Sequence, residues 1–156
     1  MSRLVASSAR PSSKPQACPE ETVFVDLLRT VDLLSRAPSE LLREHDLSSN
    51  QYNVLRILRG APDGLLCGEI AARMISRDPD ITRLLDRLEK RALIGRCRNS
   101  PDRRKVIVRI TPAGLELLSR IDGPMCELHR RQLGRLGPNR LHDLGRLVLV
   151  CRPPEV

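Results

Sequence analysis

Between Asp78 and Ile110 the spacing of apolar residues changes period, and few architectures accommodate that change. Ile81, Leu84, Leu85 and Leu88 recur at three and four residues and form a narrow stripe on one side of a helical wheel. Arg83, Asp86, Arg87 and Lys90 fall on the opposite side, with Thr82 flanking. Asp78 is placed to cap this helix, with Pro79 at its first position, where a missing N–H costs nothing, and Arg91 near its end. After Leu93 the pattern alternates: Val106, Val108 and Ile110 share one face of a strand, and residues 93–98 are its expected partner in a two-stranded hairpin. Asn99-Ser100-Pro101-Asp102 supplies the turn chemistry between them, and Arg103, Arg104 and Lys105 follow directly.

The flanking segments read as helices. Val23, Leu27, Leu28, Val31 and Leu34 recur at helical spacing from Glu20 onward, and Pro38 is expected to kink or break that helix before Leu41 and Leu42 resume it. Ser48 and Gln51 have capping-box spacing, with Leu47 placed to staple onto Tyr52, and the helix they start should end at Gly60. Residues 67–74 form a short helix with Ile70 and Met74 inward. Thr111-Pro112 caps a helix carrying Leu115, Leu118 and Ile121, expected to be disturbed at Gly123-Pro124 and to continue through Leu128; a last helix from Pro138 carries Leu141, Leu144, Leu147 and Val148. Helix, short helix, capped helix and basic hairpin in this order make a winged helix-turn-helix, of mainly α (α+β) class.

Charge follows the same segment. Lys and Arg number 27 against 19 Asp and Glu, a net of +8. Residues 67–112 hold twelve of those cations and six acids, so most of the excess lies on the capped helix and hairpin, where phosphate neutralisation would need it. A solvated helix face laced by pairs such as Asp86 with Lys90 accounts for Asp86 but not for three consecutive cations at a loop tip. Aromatic residues make up 1% (Phe24 and Tyr52), which argues against stacking platforms for single strands. The longest apolar run, residues 147–151, is too short for a membrane span. At 156 residues the chain suits one compact unit. Cys18, Cys67, Cys97, Cys126 and Cys151 include no CxxC pair and are expected as reduced thiols in a cytoplasm. His45, His129 and His142 form no ligand cluster; no metal and no cofactor is expected, and His45 reads as a dipole-complementing group at a helix end.

The residues DITRLLDRLEKRALIGR followed by PDRRKVIVRITPAG resemble the recognition helix and D-x-R wing of the MarR family of bacterial transcriptional regulators, within a match running from about residue 20 to 151. The resemblance implies a homodimer held by long N- and C-terminal helices, each winged domain reading half of a pseudo-palindrome in double-stranded DNA. The implied division is a disordered tail at 1–19, dimerisation helix at 20–46, winged domain at 47–111, dimerisation helices at 112–151 and a tail at 152–156. Asp102 and Arg104 match the D-x-R positions, where the acid orients the arginine that enters the minor groove; Arg103 could be the inserted residue instead. Thr82 matches a frequent recognition-helix threonine and, with Pro79, Asp80 and Arg83, lies in the half that would enter the major groove. Arg77, Arg87 and Lys90 read as phosphate contacts, and Lys105 as part of the wing. The chain departs from the family at Ala92, where glycine is usual: a left-handed cap would cost alanine roughly 1 kcal/mol, leaving the turn open to differ.

Relatives often respond to small phenolic ligands or to thiol oxidation, so an effector of unknown identity is a further partner, and Cys67 and Cys97 lie near the DNA-binding elements. Two other readings compete. A winged helix used only for protein interaction would not need the basic loop tip. A thiol enzyme built on Cys18 or Cys126 with His129 lacks an orienting acid other than Glu127. The reading reached is a dimeric DNA-binding regulator, a repressor by preference, with no catalytic residues.

Overall fold

The computed structural model describes residues 18–76, 80–97 and 106–152, which fall into two compact units divided between Leu33 and Leu34. The expected tails at 1–19 and 152–156 therefore lie almost wholly outside the described residues, as do the start of the capped helix at Arg77, Asp78 and Pro79 and the wing loop.

Helix α1 (Pro19–Arg43) opens with Glu20 and Glu21, which favour the positive end of its dipole. Its portion in the first unit keeps Val23, Phe24, Leu27, Leu28 and Val31 exposed at helical spacing. In the second unit α1 runs on through Pro38, so the expected break does not occur. A proline at 38 cannot donate to the carbonyl of Leu34, and that oxygen accepts instead from Gln132 Nε2 at 2.9 Å. The unsatisfied acceptor that usually accompanies an internal proline is thereby filled from another helix.

Helix α2 (Ser49–Arg59) begins with the reciprocal bonds its sequence predicts: Gln51 N–H donates to Ser48 Oγ at 3.2 Å, and Ser48 N–H to Gln51 Oε1 at 2.9 Å. It ends at Gly60. A short strand β1 (Leu65–Leu66) precedes α3 (Cys67–Arg73), followed by α4 (Ile81–Lys90), β2 (Ile94–Cys97), β3 (Ile107–Ile110), α5 (Pro112–Leu133), a 3-10 turn and α6 (Gly137–Val150). The expected two-stranded hairpin is thus a three-stranded antiparallel sheet with β3 in the centre: Val108 lies opposite both Leu65 and Arg96. Two residues carry no readable period, which is why β1 escapes sequence inspection. α5 is likewise continuous through Gly123 and Pro124, without the expected disturbance in its helical run.

The core is almost entirely aliphatic: Val54, Leu55 and Leu58 from α2, Ile70 from α3, Leu84, Leu85 and Leu88 from α4, Val108 from β3, and Leu118 and Ile121 from α5 are buried together. α2 is its hub, packing on α3, α4, α5 and β3. An ion pair from Arg59 Nη1 to Asp122 Oδ2 at 2.6 Å joins α2 to α5 at the edge of the core; that hydrogen bond raises the guanidinium pKa above its ordinary value.

Two helices close on left-handed residues other than glycine. Leu47 N–H donates to Leu42 O and Asp46 N–H to Arg43 O, with Asp46 at φ 54°. Leu93 N–H donates to Leu88 O and Ala92 N–H to Glu89 O, with Ala92 also at φ 54°. The second is the turn at which the sequence departs from the family it resembles, and alanine adopts the left-handed geometry there regardless, because the paired bonds and the burial of Leu93 enforce it. Thr111 then fixes α5 onto this turn: its hydroxyl donates to Ala92 O at 2.7 Å and accepts from Gly114 N–H at 3.1 Å. Gly114 packs so closely that an added Cβ would collide with the Leu93 carbonyl oxygen and lie 2.8 Å from Ile110 Cγ1.

These contacts predict opposite outcomes for two small substitutions. Ala92→Gly should stabilise the fold by about 1 kcal/mol through relief of left-handed strain. Gly114→Ala should destabilise it by about 2 kcal/mol or more, because backbone rather than a flexible side chain stands in the way. Urea denaturation of both variants checks the pair.

Candidate nucleic-acid interface

The interface candidate is built on α4. Asp80, rather than the expected Asp78, is its N-cap: Asp80 Oδ1 accepts from Arg83 N–H at 3.4 Å. Both acids precede an apolar-periodic residue, and only the position of the first helical turn, Ile81, separates them. The same carboxylate holds Arg83 Nε at 3.1 Å, so Asp80 orients an arginine whose side chain is 78% exposed.

The helical wheel is realised. Leu84, Leu85 and Leu88 are buried and Ile81 packs partly against the core, while Thr82, Arg83, Arg87 and Lys90 are exposed. The helix is held at both ends. Before it, Ile75 N–H donates to Asn53 Oδ1 at 2.9 Å and Ser76 Oγ bonds Asn50 Oδ1 at 3.2 Å, so two asparagines of α2 fasten the segment leaving α3. After it, Arg91 donates from Nη2 to His45 O at 3.1 Å and from Nη1 to Asp46 O, supplying donors to the end of α1. A cleft of about 380 Å³ lies between α3, α4 and the sheet, lined by Cys67, Thr82, Leu85, Arg96, Val106 and Val108.

The geometry divides the cations that the sequence pools. Arg91 is engaged by carbonyls, Arg109 Nε donates to Asp63 O at 3.0 Å, and Arg96 Nη1 meets Asp86 Oδ1 at 2.7 Å and Glu89 Oε2 at 2.9 Å. Asp86 is therefore paired with Arg96 of β2, not with Lys90 as helical spacing suggests. Among the described residues, Arg73, Arg87 and Lys90 are exposed and have no ion-pair partner. The roles of Arg91, Arg96 and Arg109 were illegible because their partners are 45, 7 to 10 and 46 residues away. Of the predicted site residues, Asp80, Thr82, Arg83, Arg87 and Lys90 come together on α4; Arg77, Pro79, Asp102, Arg103, Arg104 and Lys105 lie outside the described residues.

Other chemistry has little geometric support. Cys126 Sγ accepts from Arg130 Nη2 at 3.9 Å, and no hydrogen bond joins it to His129 among the described residues. All five cysteines are free thiols. Among the described residues no group of His, Cys, Asp and Glu could hold a metal, and no helix is long and apolar enough to cross a membrane.

Comparison with known proteins adds to this geometry. A family model for the transcriptional regulator SarA/Rot matches residues 36–121. The chain is 39% identical to a MarR transcription factor from Planctomyces limnophilus, whose crystal structure is similar with a TM-score of 0.66 over 88% of this chain and 100% of that one. It is 32% identical over 108 residues to the HTH-type transcriptional regulator TtmR of Methylorubrum extorquens, covering 69% of this chain but only 54%, about half, of TtmR. The S. aureus MepR–DNA complex contains a chain 22% identical with a TM-score of 0.71, covering 81% of this chain and 93% of that one, a likeness of fold.

The capping role of Asp80 is separable from any role at a surface. Asp80→Ala should cost about 1 kcal/mol of stability, whereas Asp80→Asn, which keeps a side-chain acceptor, should cost a few tenths; thermal denaturation of the two variants checks the difference.

Proposed function

The chain belongs to the MarR family of winged helix-turn-helix transcriptional regulators, and from that premise we propose that it binds double-stranded DNA sequence-specifically, as a repressor acting in the cytoplasm without enzymatic activity. The observation that carries the reading is α4 itself, capped at Asp80, apolar toward the core and cationic toward solvent. Thr82 and Arg83, at the end of the helix that follows Pro79 and Asp80, read base edges in the major groove, with Asp80 presetting the arginine fork. Arg87 and Lys90, unpaired among the described residues, contact phosphates, as does Arg77. Arg104, oriented by Asp102 and flanked by Arg103 and Lys105, enters the adjacent minor groove, whose narrow negative floor suits a planar guanidinium.

The acting species is a homodimer. α6 buries no side chain, and its Leu141, Leu144, Leu147 and Val148 are exposed; the first unit independently presents Val23, Leu27, Leu28 and Val31. Exposed apolar rows of this length favour a protein partner. On this reading residues 20–46 and 112–151 serve dimerisation and 47–111 bind DNA. Two recognition helices entering successive major grooves set half-site centres about 34 Å apart. A cleft of about 280 Å³ between α2 and α5, lined by Tyr52, Arg56, Asp122, Met125, Cys126 and His129, offers room for a small-molecule effector.

Duplex binding measured against salt tests the reading. The log–log dependence should fall with a slope of about −0.9 per phosphate contact, and a flat dependence overturns it. Arg104→Ala should weaken specific binding by about 1–3 kcal/mol while analytical ultracentrifugation still finds a dimer.

A further inference from the structure

Arg96 belongs by composition to the cationic surface, and its surroundings argue that it does a different job. One nitrogen, Nη1, lies 2.7 Å from Asp86 Oδ1 and 2.9 Å from Glu89 Oε2, both on α4, while the arginine itself is on β2. The side chain is 27% exposed, well below the 78% of Arg83. A phosphate approaching it would have to displace two carboxylates, and the three groups together carry a net charge of −1, which repels a polyanion. Arg96 lies opposite Val108 in the ladder, and Val108 is buried in the core, so β2 is also held along its edge by a strand anchored in that core. The pair of bonds spans α4 and the strand that leads into the wing loop. The angle between these elements decides whether a helix in one groove and a wing in the next can engage together.

We propose that Arg96 is a positioning residue, clamping β2 to α4 through Asp86 and Glu89 so that helix and wing hold a fixed relation, and that it makes no contact with DNA. The inference rests on the DNA-binding reading above. Its physical signature is a split between specific and non-specific binding. Specific recognition needs both elements in register, whereas non-specific attachment rests on phosphate neutralisation and tolerates imprecise geometry.

The test uses the full-length chain and two probes: a 40-base-pair duplex selected from a random pool by the wild-type protein, and an unselected duplex of the same length. Arg96→Met should lose about tenfold in affinity for the selected duplex, keep its affinity for the unselected one, and leave the salt slope unchanged. A phosphate contact would instead lower the slope by about 0.9 and weaken both probes. Arg96→Lys should retain most of the specific affinity, because a single nitrogen bridges both acids.

The Asp86→Asn/Glu89→Gln double variant decides the matter even if Arg96→Met folds poorly. It makes the protein more positive by two charges and frees Arg96, so an electrostatic contact predicts tighter binding, while a clamp predicts weaker binding to the selected duplex only. Unchanged or tighter specific binding by that variant, or a reduced slope for Arg96→Met, overturns the proposal and leaves the DNA-binding reading standing. Failure of the wild-type chain to bind either duplex overturns the DNA-binding reading, and this inference falls with it.

Discussion

The burial of Leu84, Leu85 and Leu88 determines which side of α4 stays in water, and the candidate interface follows from that choice. Each leucine withdrawn from solvent contributes about 1.5–3 kcal/mol, whereas an exposed helix-face ion pair contributes a few tenths. The rotation of the helix about its axis is therefore set by the core and not by the charges it displays. Any rotation that turned Arg87 or Lys90 inward would expose leucine and bury an unpaired cation, which adds two unfavourable effects. The cationic face is thus a consequence of apolar packing, and it can vary in sequence without disturbing the fold.

The same hierarchy explains why cation counts overstate a binding surface. Twelve Lys and Arg in residues 67–112 suggest a broad positive field, yet Arg91, Arg96 and Arg109 spend their donors on carbonyls or carboxylates of neighbouring elements. Arginine is suited to this use because its planar fork can bridge two acceptors and keep its charge when half-buried. What remains exposed on the described part of the candidate interface is smaller and more sharply placed: Arg87 and Lys90 along α4 and Arg73 on α3, without ion-pair partners among the described residues, and Arg83 held by Asp80. A localised set of cations fixes register on a duplex better than a diffuse one of the same total charge.

The long periodic segments were legible from sequence because periodicity and caps are local. Ser48 with Gln51 and Thr111 with Pro112 announce their helices within four residues, and the stripe on α4 is complete in eight. The features that escaped depend on distant partners. Pro38 signals a kink or break by local rules, yet α1 runs through it, and the Leu34 carbonyl it leaves without a donor is served by Gln132, 98 residues away. β1 is visible solely as a partner of β3, since two residues have no pattern of their own. Among the site residues, the α4 set could be found because a helix places its own faces. The pairing of Asp86 with Arg96 could not, because helical spacing offered Lys90 as a nearer candidate and the strand's return was not yet fixed.

Ala92 shows how far tertiary bonds override a local preference. Its left-handed backbone is unfavourable for alanine by itself, yet Leu93 N–H to Leu88 O, Ala92 N–H to Glu89 O and the Thr111 hydroxyl on Ala92 O all require it. Arg91, one residue earlier, donates to the carbonyls of His45 and Asp46, and Asp46 is itself the left-handed residue that closes α1. The closing turns of α1 and α4 are therefore joined by one side chain. A tilt of the end of α1 away from α4 would exchange these two bonds for bonds to water. Both bonds are exposed, so water can replace either donor, and each contributes about 0.5–1.5 kcal/mol to holding the two turns together.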